Sequence, residues 1–206
     1  MRLLISAGPT REKIDPVRFI TNYSSGKMGY ALARAAAEMG IEVVLVSGPV
    51  ALPCPEGVAE FHPVESAAEM AEKIFSLCAE CDAIIMAAAV ADYRPAEVCQ
   101  SKMKKKEGDL YLRLERTTDI LAGLGERKTP AQKLIGFAAE TDDLMANAQK
   151  KLERKNLDWI AANKVSDGFG KETNTVTLLA RDGRKIELAT GNKLDVAREM
   201  LKIVLS

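Results

Sequence analysis

The chain has 206 residues, of which 47% are hydrophobic, and this length is enough for one folded domain with a buried core. Its 29 basic and 29 acidic residues give a formal net charge of zero, which argues against a nucleic-acid-binding polycation. No segment reaches the roughly 20 apolar residues that a membrane-spanning helix needs. We therefore expect a single soluble, cytoplasmic domain over residues 1–206 that binds neither nucleic acid nor membrane.

Thiol and imidazole groups are few in this chain. Cys54, Cys78, Cys81 and Cys99 are too irregularly spaced for a disulfide framework, so we expect reduced thiols. Cys78 and Cys81 end a helical pattern, where structural burial is a better explanation than redox chemistry. His62 is the one histidine, which disfavours a histidine-based triad and a zinc site.

The first half of the chain alternates apolar runs typical of buried strands with helical spacing. Gly40 follows the first helical pattern at the position where a glycine commonly ends a helix. Ser66 and Glu69 form a capping-box pattern that opens the second helix. These patterns predict strands at 2–6, 41–48, 59–64 and 82–90 and helices at 30–39 and 66–81.

The second half continues this alternation less regularly. Thr118 or Asp119 can cap a short helix, and Asp182-Gly183 is a hairpin turn signal. We predict strands at 110–115, 133–141 and 158–163, helices at 143–156 and 193–205, and a hairpin at about 174–189 that is a candidate for dimerisation. The alternation favours an α/β fold with a Rossmann-like, doubly wound, mostly parallel sheet, a C-terminal β-hairpin and a lysine-rich flap.

The loop before the first helix combines glycine, serine and lysine. Its sequence, TNYSSGKMG from residue 21, matches neither the Walker A pattern nor the dinucleotide fingerprint. Hydroxyls, amides and a cation at a helix N-terminus favour an anion, but a serine cap with closely packed glycines would also explain the pattern. The candidate phosphate loop consists of Gly8, Ser24, Ser25, Gly26 and Lys27.

A run of lysines, Lys102, Lys104, Lys105 and Lys106, lies in the longest predicted loop. One interpretation is a solvated charge run. The other is a mobile cationic flap, at about residues 93–109, that closes over a phosphorylated ligand and excludes water. The run alone does not decide between them.

Further charged residues lie near the carboxyl ends of the predicted strands, where parallel sheets bind ligands. Asp92 could accept a hydrogen bond from a ribose hydroxyl or could be an ordinary turn residue. For Asp119 the preferred interpretation is a helix cap, and the secondary one is a position next to a phosphate. Lys151 and Lys155 share one side of a helix, from which they could contact phosphate or extend into solvent.

Several anion sites without a candidate protein nucleophile favour one class of chemistry. A nucleotide can activate a carboxylate because it provides the leaving group itself. The protein then needs only to align the reactants and neutralise charge. From these residues alone, we expect a nucleotide-binding α/β enzyme.

Five motifs in order give this chain a family resemblance. SAGPTRE-x-IDPVRFITN-x-SSGKMG, AAAVADYRP, K-x-KK, GFAAET and KNLDWIAAN together resemble phosphopantothenoylcysteine synthetase, over nearly the whole chain. The resemblance implies a ligase of coenzyme A biosynthesis that joins 4′-phosphopantothenate to L-cysteine. In the bacterial branch it implies CTP and Mg²⁺, an acyl-cytidylate intermediate, release of pyrophosphate and CMP, a homodimer, and fusion to a flavin-dependent decarboxylase.

The resemblance also implies roles for individual residues. Asn22 is similar to the asparagine that assists the acyl-cytidylate, and Lys102 is similar to the flap lysine that contacts the nucleotide. Arg18 lies in a substrate segment linked to the dimer, and no residue is assigned as a metal ligand. The implied nucleoside pocket is Met86, Ala87, Ala88, Asp92 and Phe137, and the implied triphosphate contacts are Asp119, Ile120, Leu121, Ala122, Lys151 and Lys155.

Two alternatives to a ligase remain open at this point. A nicotinamide-dependent dehydrogenase would suit the fold, but the G-x-G-x-x-G fingerprint is absent and the lysines suit more phosphates than a dinucleotide has. A non-catalytic nucleotide-binding module would bind the nucleotide without releasing pyrophosphate.

Overall fold

The computed structural model describes residues 1–105, 107–140, 143–164 and 173–206. The strands are β1 (Arg2–Ala7), β2 (Arg11–Lys13), β3 (Phe19–Thr21), β4 (Glu42–Ser47), β5 (Glu60–Pro63), β6 (Ala83–Met86), β7 (Tyr93–Pro95), β8 (Leu114–Arg116), β9 (Lys133–Glu140), β10 (Trp159–Lys164), β11 (Thr173–Asn174), β12 (Thr177–Ala180), β13 (Lys185–Glu187) and β14 (Gly191–Asn192). The helices are α1 (Lys27–Glu38), α2 (Ala67–Leu77), α3 (Ile120–Arg127), α4 (Leu144–Arg154) and α5 (Lys193–Val204), with a 3₁₀ turn at Cys78–Glu80.

The central sheet has the order β13-β12-β10-β9-β6-β1-β4-β5. The run from β5 to β10 is parallel throughout, and β12 and β13 add an antiparallel hairpin at one edge. Numbered along the chain, the parallel strands follow the order 3-2-1-4-5-6, which is the Rossmann arrangement. The predicted fold class is confirmed. In this topology the strand order reverses between β1 and β6, so a ligand crevice is expected at their carboxyl ends.

Two layers of helices cover the two faces of the sheet. Because side chains alternate along a strand, Leu3 and Ile5 face α1 and α5, whereas Leu4 faces the side of α2, α3 and α4. All three are fully buried. Each such side chain contributes roughly 1.5–3 kcal/mol through removal of apolar surface from water. Strand β1 is therefore packed on both faces and supports the loop at its carboxyl end.

Local capping fixes where several helices begin. The Ser66 hydroxyl accepts from the Glu69 amide at 3.2 Å, which confirms Ser66 as the predicted cap, but the Glu69 carboxylate accepts from the Glu65 amide at 2.8 Å rather than from that of Ser66. Asp119 caps α3 through the Ala122 amide at 3.0 Å. Between β12 and β13, Gly183 has a φ of 90°, a left-handed conformation that glycine adopts without strain.

Several predicted boundaries are wrong by a few residues. Helix α1 begins at Lys27 rather than at Tyr30, because the left-handed Gly26 already turns the chain into the helix. Strand β6 ends at Met86 because the Ala88 amide donates to the Ser6 hydroxyl, at 3.1 Å, rather than to a backbone carbonyl. Strand β8 covers Leu114–Arg116 only, so the strand predicted from residue 110 is shorter.

Three short antiparallel pairs were not predicted from the sequence, and one of them, β11 with β14, flanks the β12–β13 hairpin along the chain. Strands β2 and β3 form a hairpin before α1, and β7 pairs with β8 across residues 96–113. Their side chains are largely exposed, so they lack an apolar periodicity that would identify them. The hairpin predicted at about 174–189 exists as β12–β13, whereas its role in dimerisation and the single-domain assignment stay predictions. Within the described ranges, every helix is too short or too polar to span a bilayer.

Candidate functional site

A cavity of about 400 Å³ opens at the carboxyl ends of β6 and β9, next to the point where the strand order reverses. Its lining combines apolar side chains with hydroxyls, carboxylates and cations. We call it the first cavity. Its lining consists of Met86, Ala88, Val90, Asp92, Tyr93, Arg116, Thr117, Thr118, Asp119, Ile120, Leu121, Phe137, Lys151, Arg154 and Lys155.

The start of α3 forms the polar end of the first cavity. Lys155 donates to the Asp119 carboxylate at 2.8 Å, and the same oxygen accepts from the Ala122 amide. Burial of Asp119 would raise its pKa, but the hydrogen bonds from Lys155 and Ala122 and the nearby charges of Lys155 and Arg154 together lower it. Asp119 is therefore ionised at neutral pH, and the helix N-terminus lies beside a group of cations.

Lys151 reaches the same region from α4. Its ammonium group donates to the Phe137 carbonyl at 2.7 Å, within β9. This contact directs the lysine over the apolar stripe of its helix toward the sheet edge, rather than into solvent. Lys151 and Lys155 thus line one cavity, as their spacing of four residues indicated.

A second cavity, of about 300 Å³, shares a wall with the first. The shared residues are Ala88, Val90, Asp92, Phe137 and Lys151. The rest of the second cavity is lined by Asn22, Ser24, Ser25, Gly26, Lys27, Met28, Gly29, Ala87, Ala89, Ala139, Asn163, Asn174 and Lys193. The loop that the sequence identifies as a phosphate loop therefore faces a cavity adjoining the first.

Close backbone packing determines the shape of this loop. Gly26 has a φ of 75°, and a Cβ atom on it would lie 2.7 Å from Val50 and 3.2 Å from the Gly8 Cα atom. A Cβ atom on Gly29 would lie 2.6 Å from the Ala7 Cβ atom and 3.0 Å from its Cα atom. Gly8 thus supports the loop from beneath, and α1 lies against β1 because these positions carry no side chain.

Asn22 lies where the loop meets the chain after β6. Its amide nitrogen donates to the Ala89 carbonyl at 2.9 Å, and the side chain is exposed to the second cavity. A carboxamide has two N–H donors and remains neutral. Asn22 can therefore orient a polar ligand at this position without adding charge.

Three of the residues assigned by resemblance line neither cavity. Lys102 is exposed on the segment after β7, and Arg18 lies in the β2–β3 turn, where it pairs with Asp15. Ala122 contributes its backbone amide rather than a cavity wall. Lys106 lies outside the described residues.

The structure adds residues that sequence reasoning missed. Thr117 and Thr118 immediately precede the Asp119 cap, and Arg154 follows Lys151 by three residues, so all three could have been found from their position beside residues already assigned. Asn163 is the next-to-last residue of β10, near the carboxyl end of a parallel strand, where ligands are expected to bind. Tyr93, Arg116, Asn174 and Lys193 reach the cavities through long-range packing, for which no local signal exists.

All four cysteines are free thiols, and Cys78 and Cys81 are buried as expected. Burial raises the pKa of Cys81, which makes its thiolate less available. Among the residues that the structure describes, no group of three or more His, Cys, Asp or Glu side chains is arranged to hold a metal ion.

Residues 1–206 match the family described as DNA/pantothenate metabolism flavoprotein C-terminal domain. The chain belongs to this family. Membership confirms the resemblance that the five motifs indicated.

Individual relatives agree with this family assignment. The coenzyme A biosynthesis bifunctional protein CoaBC of Bacillus subtilis (strain 168) is 55% identical over 203 residues, which are 97% of this chain and 50% of the relative. The crystal structure of a CoaBC C-terminal domain is 50% identical, has a TM-score of 0.84, and covers 98% of this chain and 92% of that one. A mutant of Cab2 in complex with phosphopantothenate-cysteine shares the fold at 17% identity, with a TM-score of 0.81 over 99% of this chain and 85% of that one. This family member spans about half the length of the curated relative from B. subtilis.

Proposed function

We propose that this chain is a ligase of coenzyme A biosynthesis that joins 4′-phosphopantothenate to L-cysteine with CTP. A carboxylate oxygen of the acid attacks the α-phosphorus of CTP, an acyl-cytidylate forms, and pyrophosphate leaves. The cysteine amine then attacks the acyl carbon, CMP leaves with the former carboxylate oxygen, and the amine loses a proton. The family assignment and the B. subtilis CoaBC relative support the pathway.

The observation that carries this proposal is the wall shared by the two cavities. A ligase of this kind must bring the nucleotide phosphate and the acid carboxylate together while keeping the two molecules in separate sites. The first cavity offers an apolar wall and a cationic end for a nucleotide, and the second offers the phosphate loop. Asp92, Phe137 and Lys151 belong to both, so the reacting groups would meet there.

The cationic end of the first cavity suits a triphosphate. Lys151, Arg154 and Lys155 line the same cavity as the N-terminus of α3, and the dipole of that helix also favours an anion. Such preorganised groups stabilise the charge that develops as pyrophosphate leaves. Lys102 would add a cation from outside the cavity once the flap closes.

Asn22 would act at the boundary between the two sites. It lies on the loop of the second cavity and donates to Ala89, which follows the shared residue Ala88. In the reaction its carboxamide would donate to the oxyanion that develops on the acyl oxygen as the cysteine amine attacks the acyl-cytidylate. Because the group is neutral and a poor nucleophile, it would not compete with cysteine for the activated acyl group.

The first cavity also suits Mg²⁺ bound together with a triphosphate. Magnesium sites in nucleotide enzymes commonly use one or two carboxylates plus phosphate oxygens and waters, and Asp92 and Asp119 both line this cavity. The ion would supply charge neutralisation at the phosphates. Asp119 keeps its bond to Lys155, so Asp92 is the better candidate ligand.

A homodimer is also part of the proposal. Exposed large apolar side chains are concentrated in the β2–β3 hairpin and in residues 93–114, at Val17, Phe19, Tyr23, Tyr93, Val98, Leu110, Tyr111, Leu112 and Leu114. Apolar patches of this kind mark interaction surfaces. The β12–β13 hairpin has no exposed large apolar side chain. The exposed apolar side chains therefore favour the β2–β3 hairpin and residues 93–114 as the dimer interface. Fusion to a flavin-dependent decarboxylase would account for the other half of the B. subtilis relative's length.

Pyrophosphate release tests the proposed function directly. The assay contains Mg²⁺ and 4′-phosphopantothenate and compares CTP, ATP, GTP and UTP, each with and without L-cysteine. We expect release that requires phosphopantothenate and is fastest with CTP. Binding of CTP without release would favour a non-catalytic module. Binding of a reduced nicotinamide cofactor, seen by its fluorescence, would favour a dehydrogenase.

A further inference from the structure

The turn of the β2–β3 hairpin contains a buried, fully hydrogen-bonded aspartate. The Asp15 side chain is 0% exposed, although its turn lies at the protein surface. One carboxylate oxygen accepts from the amides of Val17 and Arg18 at 2.8 and 2.9 Å. The other accepts from the Arg18 guanidinium and, at 3.1 Å, from the Met103 amide. Met103 is 88 residues away along the chain.

Both backbone polar groups of Met103 are hydrogen-bonded to this turn. Its amide donates to Asp15, and its carbonyl accepts from the Arg18 guanidinium at 3.1 Å. A second connection lies four residues earlier, where the Cys99 amide donates to the Ile14 carbonyl at 3.0 Å. The segment from Cys99 to Met103 is thus joined to the hairpin at two points, and Lys102 lies between them.

The charge state of Asp15 strengthens this connection. The hydrogen bond from the Arg18 side chain holds the pKa of Asp15 well below its usual range, although burial acts to raise it. The hydrogen bonds from the Val17, Met103 and Arg18 amides lower this pKa further. The carboxylate is therefore ionised at neutral pH, and its bonds are charge-assisted, which makes them about twice as strong as neutral ones. A buried carboxylate that lost these donors would be strongly destabilised.

An ordinary turn cap explains only half of these contacts. Capping of its own turn requires the bonds to Val17 and Arg18, which one oxygen makes alone. The second oxygen binds Met103, which a cap does not need. This second set of contacts connects two segments that carry residues assigned to the reaction.

We propose that Asp15 is a positioning residue that fixes the lysine segment against the β2–β3 hairpin. Through Met103 it sets the direction in which Lys102 leaves the protein surface, and through its bond to Arg18 it orients that guanidinium. The hairpin and the segment then move as one unit when the flap closes. The inference deepens the proposed function, because it rests on the roles proposed there for Lys102 and the flap.

The Asp15→Asn variant separates the two halves of the contact. Its amide oxygen can keep the bonds to Val17 and Arg18, while its NH₂ group would face the Met103 amide and the guanidinium, so donors would oppose donors. A matched control is Asp182→Asn. Asp182 also accepts from the amide and guanidinium of a following arginine, Arg184, but lies in the β12–β13 turn.

Hydrogen exchange measured by mass spectrometry reports on the connection without needing turnover. In Asp15→Asn we expect the Met103 amide, within peptides covering 99–105, to exchange about tenfold faster, while peptides of β1 are unchanged. In Asp182→Asn we expect no change in this segment. If Asp15→Asn fails to fold, Met103→Pro removes the donor itself, and we then expect about tenfold faster exchange at the Cys99 amide, which donates to Ile14 from the same segment.

Steady-state kinetics test the positioning role. We expect Asp15→Asn to raise the KM for CTP about threefold, with kcat reduced by less, because Lys102 is displaced but keeps its charge and the cavities are intact. Unchanged exchange at Met103 in a folded Asp15→Asn protein would overturn the inference, as would an unchanged KM. If the wild type releases no pyrophosphate with any nucleotide, the proposed function fails, and direct CTP binding together with exchange still decides whether Asp15 fixes the segment.

Discussion

The loop before α1 and the segment after β7 both combine lysine with glycine or serine in the sequence, yet they differ in how closely they pack against the rest of the protein. The loop is packed against β1, and Gly26 and Gly29 have no room for a Cβ atom. Lys102, Lys104 and Lys105 are exposed, and a Cβ atom on Gly108 would meet nothing within 4 Å.

This difference distinguishes a closely packed wall from an exposed group of cations. The loop lines the second cavity. The lysine segment lies outside both cavities and depends on Asp15 and Arg18 for its position. Changes in the loop should therefore alter catalysis or folding, and changes in the segment should alter affinity with the fold intact.

The largest effect is expected from Asn22→Asp. A carboxylate would repel the charge that develops beside it, so kcat should fall about 100-fold, as for removal of an oxyanion donor. The dissociation constant for CTP should change less than threefold, since Asn22 lies outside the first cavity. Single-turnover kinetics and calorimetry measure the two quantities. An equal loss of binding and turnover would contradict the assigned role.

Gly29→Ala tests the close packing of the loop. The added Cβ atom would overlap Ala7, including its backbone, so we expect the free energy of unfolding to fall by about 2 kcal/mol. Gly191→Ala is the control, because its Cβ atom would find ordinary contacts at 3.8 Å and should change stability by less than about 0.5 kcal/mol. Urea denaturation measures both. Equal stability of the two variants would refute the difference in packing.

Lys155→Gln tests the cationic end of the first cavity. Loss of one charge near the triphosphate should weaken CTP binding about tenfold. Lys150→Gln is the control, since Lys150 lies on the same helix but outside the first and second cavities. Titration calorimetry compares the two. Equal affinities would show that the triphosphate does not bind at this end.

A smaller effect is expected from Lys102→Gln. Because this lysine is exposed and acts from a segment outside the cavities, we expect a loss of about fivefold in CTP affinity. The circular dichroism spectrum and melting temperature should equal those of the wild type. An unchanged dissociation constant would exclude Lys102 from nucleotide binding.

The smallest effect concerns the pH dependence of stability at Asp119. Its pKa is lower in the folded chain than the unfolded value of about 3.9, so its contribution is complete above that pH and is lost as the pH falls through the folded pKa. The group is half exposed, which limits the contribution to about 1 kcal/mol. We expect the stability difference between wild type and Asp119→Asn to shrink below pH 4. A constant difference would contradict the assignment.

Much of the fold and part of the site follow from the sequence. Unbroken apolar runs at 2–6 and 82–90 predict buried parallel strands, and the rule that ligands bind at their carboxyl ends identifies Ala88 and Asp92. The extent of β6 did not follow, because the Ser6 hydroxyl replaces a backbone acceptor there. The connection of Asp15 to Met103 joins residues 88 positions apart, and periodicity within a segment carries no information on such contacts.

Transfer of an ¹⁸O label tests the central claim, that the acid attacks the α-phosphate of CTP at the shared wall. The chain is incubated with CTP, Mg²⁺, L-cysteine and 4′-phosphopantothenate labelled in its carboxylate, and the phosphorus-containing products are analysed by mass spectrometry. We predict one ¹⁸O atom in CMP and none in pyrophosphate. Label in inorganic phosphate together with CDP, or in neither product, would contradict the acyl-cytidylate mechanism.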